Sequence, residues 1–205
     1  PEQVFDKVVL TRQGGMPPDT PASYNRPKDE NDQNWLPWDT LQMGFWTGGK
    51  HWSEAQADVM IDYIKENAGS SRPSFMYCAF NAPHDPRQSP QEYVEQYSIE
   101  SIPLPGNFLP EHPFNKEMGT GRGMRDEKLA PFPRTSYAVK KHIQEYYGII
   151  SHLDEQIGRI LKALKESGMD KNTLIVFASD NGLAVGQHGF LGKQNLYDHS
   201  AKVPL

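Results

Sequence analysis

The 205-residue sequence has one cysteine, no run of basic residues and no apolar stretch of membrane-spanning length. A single cysteine excludes an internal disulfide bond and leaves the cellular compartment undecided. A formal net charge of −5 without a basic cluster argues against nucleic acid as the main partner. The apolar runs are too short for a transmembrane helix. No signal-like segment is present either, and we expect that any targeting signal is absent or has been removed.

Proline and glycine are abundant, with 17 of each, and they indicate much irregular backbone. We divide the chain into a loop-rich part (1–52), a helix–strand–loop part (53–101), a lid-like loop (102–136) and a long helix, strand and binding loop (137–205). Both ends are abrupt, so we expect a piece of one larger domain. In the lid-like loop, Arg122 and Arg125 could contact further anionic groups of a substrate.

Three helices are predicted. Ser53 and Gln56 form a capping-box pattern that would begin a helix extending to about Asn67, with Gly69 as its stop. A short helix is expected between Pro90 and about Tyr97. The longest helix is predicted from about Tyr137 to Ser167, because apolar residues recur there at helical spacing and a glycine follows.

Two short apolar runs predict strands that are buried on both faces. They are Phe75–Phe80 and Leu174–Ala178, and each is rich in β-branched or aromatic residues. The long helix lies between them, so the order is strand–helix–strand. This order is typical of an α/β fold with a parallel sheet.

Each predicted strand is followed by residues that suit chemistry. Asp180 and Asn181 follow the second run, and their oxygen atoms suit Ca²⁺ or Mg²⁺ better than zinc or copper. His84 follows the first run, and an imidazole can act as a general acid near neutral pH. Lys193 follows farther along the chain and could neutralise an anion. Ligands in open α/β sheets bind at the carboxyl ends of strands, so we predict an active site there.

The same segments resemble the type I sulfatases of the alkaline-phosphatase-like superfamily. The matching motifs are A-P-H-D-P-R at 82–87, S-D-N-G at 179–182, G-Q-H-G-F-L-G-K at 186–193 and L-Y-D-H-S-A-K-V-P-L at 196–205. The resemblance implies an incomplete alkaline-phosphatase-like fold, with a mostly parallel buried sheet, flanking helices and long Pro/Gly-rich loops. It also implies hydrolysis of a sulfate ester.

The resemblance assigns roles to individual residues. Asp180 and Asn181 match calcium ligands, with Mg²⁺ as the alternative ion. Lys193 matches the lysine that contacts the sulfate, and His84 matches the histidine that protonates the leaving alcohol. His188 is either part of a substrate subsite or a structural hydrogen-bonding residue. The implied substrate is a sulfated small molecule or glycan, and the implied compartment is periplasmic, extracellular or lysosomal.

Two features of sulfatases do not occur in this chain. The nucleophile is a formylglycine made from the Cys or Ser of C/S-x-P-x-R, and two further metal-binding aspartates come from an adjacent pair. Both normally precede the region present here, so we expect this chain alone to be inactive. Two alternatives remain open: a phosphatase or phosphodiesterase of the same superfamily, and a non-catalytic binding domain.

Overall fold

The computed structural model describes residues 4–9, 21–46 and 48–204. The rest of the predicted loop-rich part (1–3, 10–20 and 47) and Leu205 lie outside the described residues. Four α-helices are found within those ranges: α1 (Trp52–Asn67), α2 (Gln91–Val94), α3 (Ser136–Glu166) and α4 (Asp198–Ala201). Short 3₁₀ turns occur at Pro21–Ser23, Ile99–Ser101, Asp126–Leu129 and Met169–Asn172. Across the described ranges, no helix has the length and apolar character needed to cross a membrane.

The predicted capping box of α1 is wrong. The N-cap is His51, whose ring Nδ1 accepts a hydrogen bond from the backbone N–H of Ser53 at 3.2 Å. Gln56 instead donates to the carbonyl of Ala79 at 2.8 Å, so its side chain is used in a tertiary contact. The predicted stop is confirmed, since Gly69 adopts a positive φ of 78°, which glycine tolerates better than other residues.

Helix α3 is the central element and was predicted nearly to the residue. Thr135 caps its start by accepting a hydrogen bond from Ala138 N at 3.1 Å, and Gly168 follows its end with a φ of 73°. The helix packs against α1 and α2. Its first half contributes to one core cluster, comprising Ile102, Leu129, Ala130, Ala138, Val139, Ile143, Val185 and Leu191. Its second half packs with α1 in a smaller cluster around Ile64, Ala163 and Leu164.

The predicted parallel sheet is not formed among the described residues. The runs 75–80 and 174–178 are extended but belong to no strand ladder, and the β-pairing in those ranges is limited to two isolated bridges. Burial on both faces was also wrong, since Leu174 is 90% exposed and Phe75 is 76% exposed. On one side of the first run Met76 packs against the α1–α3 cluster, and on the other side Phe5 stacks on Phe75 and Tyr77. Neither run has a neighbouring strand in these ranges to cover it and to satisfy its backbone.

A buried polar network connects α3 to the loop that follows the first apolar run. Arg87 donates to Nδ1 of His142 at 2.9 Å, and Nε2 of His142 donates to the carbonyl of Arg26 at 2.8 Å. Arg26 in turn forms a two-bond ion pair with Glu145. Burial, with the nearby cations Arg26 and Arg87, lowers the pKa of His142 well below its usual value. A neutral His142 is required here, because only a neutral ring can accept the Arg87 hydrogen bond.

Candidate active site

The loop after the first apolar run presents His84 in one defined ring orientation. The backbone N–H of His84 donates to the carbonyl of Asn81 at 2.9 Å, which closes a turn. Its Nδ1 lies 2.7 Å from the carbonyl oxygen of Asp85. A carbonyl can only accept, so Nδ1 carries a hydrogen and Nε2 of the neutral ring is left as an acceptor. The side chain is 36% exposed.

Lys193 meets that acceptor directly. The Nζ atom of Lys193 lies 2.8 Å from Nε2 of His84, although the two residues are 109 positions apart in the sequence. The structure therefore brings into contact two residues that the sequence predicts for one active site. An ammonium and an imidazole in contact provide a positive charge and a proton-transfer group at one point, as the reaction of an anionic ester requires.

The loop that carries Lys193 is held by a buried carboxylate. Glu127 accepts hydrogen bonds from the backbone N–H groups of Leu191 (3.1 Å) and Gly192 (3.0 Å), and it forms an ion pair with Arg134 at 2.5 Å. Burial raises the pKa of Glu127. A side-chain carbon at position 192 would lie 3.0 Å from the Glu127 carboxylate, so glycine allows this close approach.

Two further carboxylates lie around the His84–Lys193 pair. Asp85 is buried, and its Oδ1 is 3.5 Å from Nδ1 of His84. Asp126 accepts a hydrogen bond from Gln194, the neighbour of Lys193, at 2.5 Å. Burial alone would raise the pKa of Asp126, but hydrogen bonds from Arg125 and Gln194 outweigh that effect and lower it.

The two arginines of the lid-like segment already have carboxylate partners. Arg122 forms two hydrogen bonds with Glu111, at 3.0 and 2.7 Å, and they lower the pKa of Glu111 to about 2. Arg125 donates to Asp126 at 2.6 Å and lies 3.8 Å from Asp85. The end of this segment packs into the core through Leu129 and Ala130.

The candidate metal ligands lie in a turn after the second apolar run. Oδ1 of Asp180 accepts from the backbone N–H of Asn181 at 2.9 Å, and the Ser179 hydroxyl donates to the Asn181 carbonyl at 2.9 Å. The chain then returns, with Gly182 donating to the carbonyl of Ser200 at 3.0 Å. Across the described ranges, no hydrogen bond or ion pair joins Asp180 or Asn181 directly to His84 or Lys193.

The donor chemistry of this turn fits a hard cation, but the number of donors does not complete a site. Asp180 and Asn181 offer carboxylate and amide oxygens, whereas Ca²⁺ takes six to eight oxygen ligands. No group of three or more His, Cys, Asp or Glu side chains in the described part of the chain is arranged to hold a metal ion.

His188 is anchored on both its backbone and its ring. Its backbone N–H donates to the carbonyl of Asn107 at 2.9 Å, and its Nε2 accepts from the Asn107 side chain at 2.9 Å. The ring stacks on Tyr197 with centroids 4.2 Å apart. Tyr197 also hydrogen-bonds to His112 at 3.0 Å. The structural hydrogen bond considered for His188 is thus present, and its role as a substrate subsite stays a prediction.

The carboxylates around the site were not predicted from the sequence. Asp85 could have been recognised from its position beside His84. Asp126 and Glu127 gave no local signal, because their partners in the Lys193 loop lie more than 60 residues away. Long-range contacts of this kind become visible only in the folded chain.

Comparisons with known proteins identify the family of this chain. A model of the family described as "Sulfatase" matches residues 5–205. The chain belongs to the sulfatase family. The arylsulfatase of Clostridium perfringens is 36% identical over 147 residues, which are 71% of this chain and 29% of that protein. Human iduronate 2-sulfatase is 30% identical over 162 residues, covering 75% of this chain and 29% of that protein.

Among solved structures, a phosphonate monoester hydrolase from Silicibacter pomeroyi is similar over 91% of this chain and 37% of its own length. Its TM-score is 0.66 and its sequence identity is 26%. Structural neighbours of this kind assign the chain to the alkaline-phosphatase-like fold of the sulfatases and phosphonate hydrolases. The chain spans about 29% of the length of the curated relatives it matches.

Proposed function

We propose that the full-length protein is a sulfatase that hydrolyses a sulfate ester, with His84 and Lys193 in its active site. The observation that carries the proposal is the 2.8 Å contact between Nζ of Lys193 and Nε2 of His84. Membership of the sulfatase family supports it. The names of related proteins, human iduronate 2-sulfatase among them, favour a sulfated carbohydrate as substrate.

Lys193 acts as the anion anchor in this proposal. Its ammonium turns from Nε2 of His84 to a non-bridging sulfate oxygen when the ester binds, and it neutralises charge that grows there in the transition state. Glu127 keeps this lysine loop in place through the backbone N–H groups of Leu191 and Gly192.

His84 acts as the general acid. Its Nδ1–H stays bound to the Asp85 carbonyl, which leaves Nε2 as the atom that faces the reaction. With a proton on Nε2, the ring donates it to the bridging oxygen as the sulfur–oxygen bond breaks, so that the alcohol leaves neutral.

Asp180 and Asn181 are proposed as two of the ligands of a calcium ion, with Mg²⁺ as the alternative. The support is the type of donor and the family, which generally uses a metal ion and a formylglycine. Formylglycine would supply the nucleophile from outside this chain, and the metal ion would supply further positive charge.

We also propose that the runs 75–80 and 174–178 are strands of a parallel sheet in the full-length protein. The support is their extended backbone and their large exposed apolar side chains, which a neighbouring strand and a covering layer would bury.

A hydrolase for phosphonate or phosphate esters is the second candidate. The structural similarity to the phosphonate monoester hydrolase favours it. Relative kcat/KM values of the full-length protein for 4-nitrophenyl sulfate and for phenyl phosphonate esters distinguish the two. A non-catalytic binding domain would hydrolyse neither substrate.

The decisive experiment compares Lys193→Ala with Lys202→Ala in the full-length protein. We expect kcat/KM for 4-nitrophenyl sulfate to fall by about 10²-fold or more for Lys193→Ala, as when one key electrostatic donor is lost. Lys202 is a matched control, because it pairs only with exposed Asp198 in the same segment, and its variant should keep wild-type activity. Equal activity of both variants would contradict the role of Lys193.

The metal assignment has its own test. Asp180→Ala should abolish sulfatase activity and weaken calcium binding measured by isothermal titration calorimetry. Asp170→Ala is the control, since that aspartate is exposed in another turn. Retention of both activity and calcium affinity in the Asp180 variant would disprove the assignment.

A further inference from the structure

Arg125 lies between the two carboxylates that flank the candidate active site. Its Nε donates to Oδ1 of Asp126 at 2.6 Å, and its Nη2 is 3.8 Å from Oδ2 of Asp85. Both carboxylates are buried, with side-chain exposures of 8% for Asp85 and 1% for Asp126, whereas the arginine side chain is 54% exposed. The arginine therefore supplies positive charge from the surface to two buried anions.

These contacts complete a ring of residues around the pair. Asp85 holds His84 through its carbonyl oxygen and lies beside the imidazole with its carboxylate. On the other side, Asp126 accepts from the Gln194 amide, and Gln194 accepts the backbone N–H of Lys193 at 3.2 Å. The Lys193–His84 contact then closes the ring. Arg125 is the only member that joins the two carboxylates.

Two cations act on the buried Asp85 carboxylate. They are Arg125, whose Nη2 is 3.8 Å from Oδ2, and the buried Arg87. Arg125 is the one of the two that also binds Asp126. Without Arg125, the Asp85 carboxylate, 3.5 Å from Nδ1 of His84, would compete more strongly with the Asp85 carbonyl for the Nδ1 hydrogen and turn the ring.

We infer that Arg125 is a positioning residue that keeps His84 ready to protonate the leaving group. It acts on His84 through Asp85, while its bond to Asp126 holds the guanidinium in place. This inference rests on the proposed sulfatase function. It goes beyond that function by giving a role to a residue outside both binding loops.

The experiment measures how the rate depends on the leaving group in the full-length protein. Aryl sulfates with a good leaving group, such as 4-nitrophenyl sulfate, need little protonation, whereas phenyl sulfate depends on the general acid. For Arg125→Gln we expect kcat/KM to fall by about 10-fold or more on phenyl sulfate and by less than about 3-fold on 4-nitrophenyl sulfate. Arg125→Lys should recover part of the loss because it restores the charge.

Arg72→Gln is the matched control. Arg72 is an exposed arginine in the turn that follows α1, outside the proposed binding loops, so its variant should leave both rates unchanged. Equal losses on both substrates for Arg125→Gln would indicate general disruption and overturn the inference. A rise in KM with an unchanged dependence on the leaving group would also overturn it, because Arg125 would then bind substrate directly.

A second measurement separates the inference from the proposed function. Nitrogen-15 NMR of the His84 ring should report the Nδ1–H tautomer with the same Nδ1 chemical shift in the wild-type protein and in Arg72→Gln, and a shifted Nδ1 signal in Arg125→Gln, where the hydrogen-bond acceptor changes. An unchanged His84 signal in Arg125→Gln would overturn the inference whatever the activity. A wild-type protein that hydrolyses no sulfate ester would instead overturn the proposed function alone.

Discussion

The regions around His84 and Asp180 each follow an extended apolar run, yet they are built very differently. His84 and Lys193 are enclosed by hydrogen-bonded carboxylates, several of which are buried. Asp180 is exposed, and its carboxylate accepts a local hydrogen bond from the next residue. The first region is thus fixed by contacts within this chain, while the second contributes donors that these contacts do not assemble into a site.

The largest effect is expected from a substitution that removes the support of the Lys193 loop. Glu127→Ala leaves Arg134 buried without its partner and removes the acceptor of two backbone N–H groups. We expect a loss of about 3–5 kcal/mol in the free energy of unfolding, as for other broken buried ion pairs. Urea denaturation measures it. Asp198→Ala, which removes an exposed ion pair, should cost less than about 1 kcal/mol.

Acid should weaken the support of the His84 loop. His51 donates from Nε2 to the Gln88 carbonyl and packs edge-on against His152. Burial lowers the pKa of His152 to about 4, and burial with the charge of His152 lowers the pKa of His51 to about 3. The unfolded chain therefore binds more protons than the folded protein below about pH 6.5.

The contribution of these two histidines to the free energy of unfolding is therefore fully present above pH 6.5 and is lost as the pH falls toward 4. One pKa unit corresponds to about 1.36 kcal/mol, so His152 alone accounts for about 3 kcal/mol. Thermal unfolding between pH 7 and pH 4 measures the loss. In His152→Phe the melting temperature should fall less between pH 7 and pH 4 than in the wild-type protein. An equal fall would contradict the role given to His152.

A smaller effect tests the close approach at Gly192. A Cβ there would lie 3.0 Å from both Cβ of Asp126 and Oε1 of Glu127. Gly192→Ala should destabilise the protein by about 1–3 kcal/mol, in line with overpacking of a tight site, and should lower sulfatase activity. Gly158→Ala is the control, because a Cβ at that helical position meets nothing within 4 Å and should be neutral or stabilising.

The smallest effect is expected in the exposed run of the second region. Leu174 is 90% exposed, so Leu174→Ser should change the stability of this chain by less than about 0.5 kcal/mol. In the full-length protein the same change should cost about 2–5 kcal/mol if the run is a buried strand. Denaturation of both forms gives the comparison. An equal, small effect in both would contradict the proposed sheet.

Local signals in the sequence were sufficient to locate the main helices and to single out His84 and Lys193, which the structure brings into contact. Glycines with positive φ and the apolar spacing of α3 are local, and so are the motifs that contain His84 and Lys193. The exposure of the two apolar runs could not be predicted from their residues, since strand burial depends on neighbours and not on the run itself, and the sheet stays a prediction. The roles of Asp126 and Glu127 were invisible for the same reason, because each depends on a loop distant in the sequence.

The separation of His84 and Lys193 by 109 positions has a consequence for how the protein acquires its chemistry. In the folded chain the lysine loop is held by the 126–134 segment, so we expect the pair to form only once that segment has docked. Distant contacts of this kind add to the time a chain needs to fold. We therefore expect partly folded forms to keep the helical signal of α3 yet to lack any trace of catalytic competence.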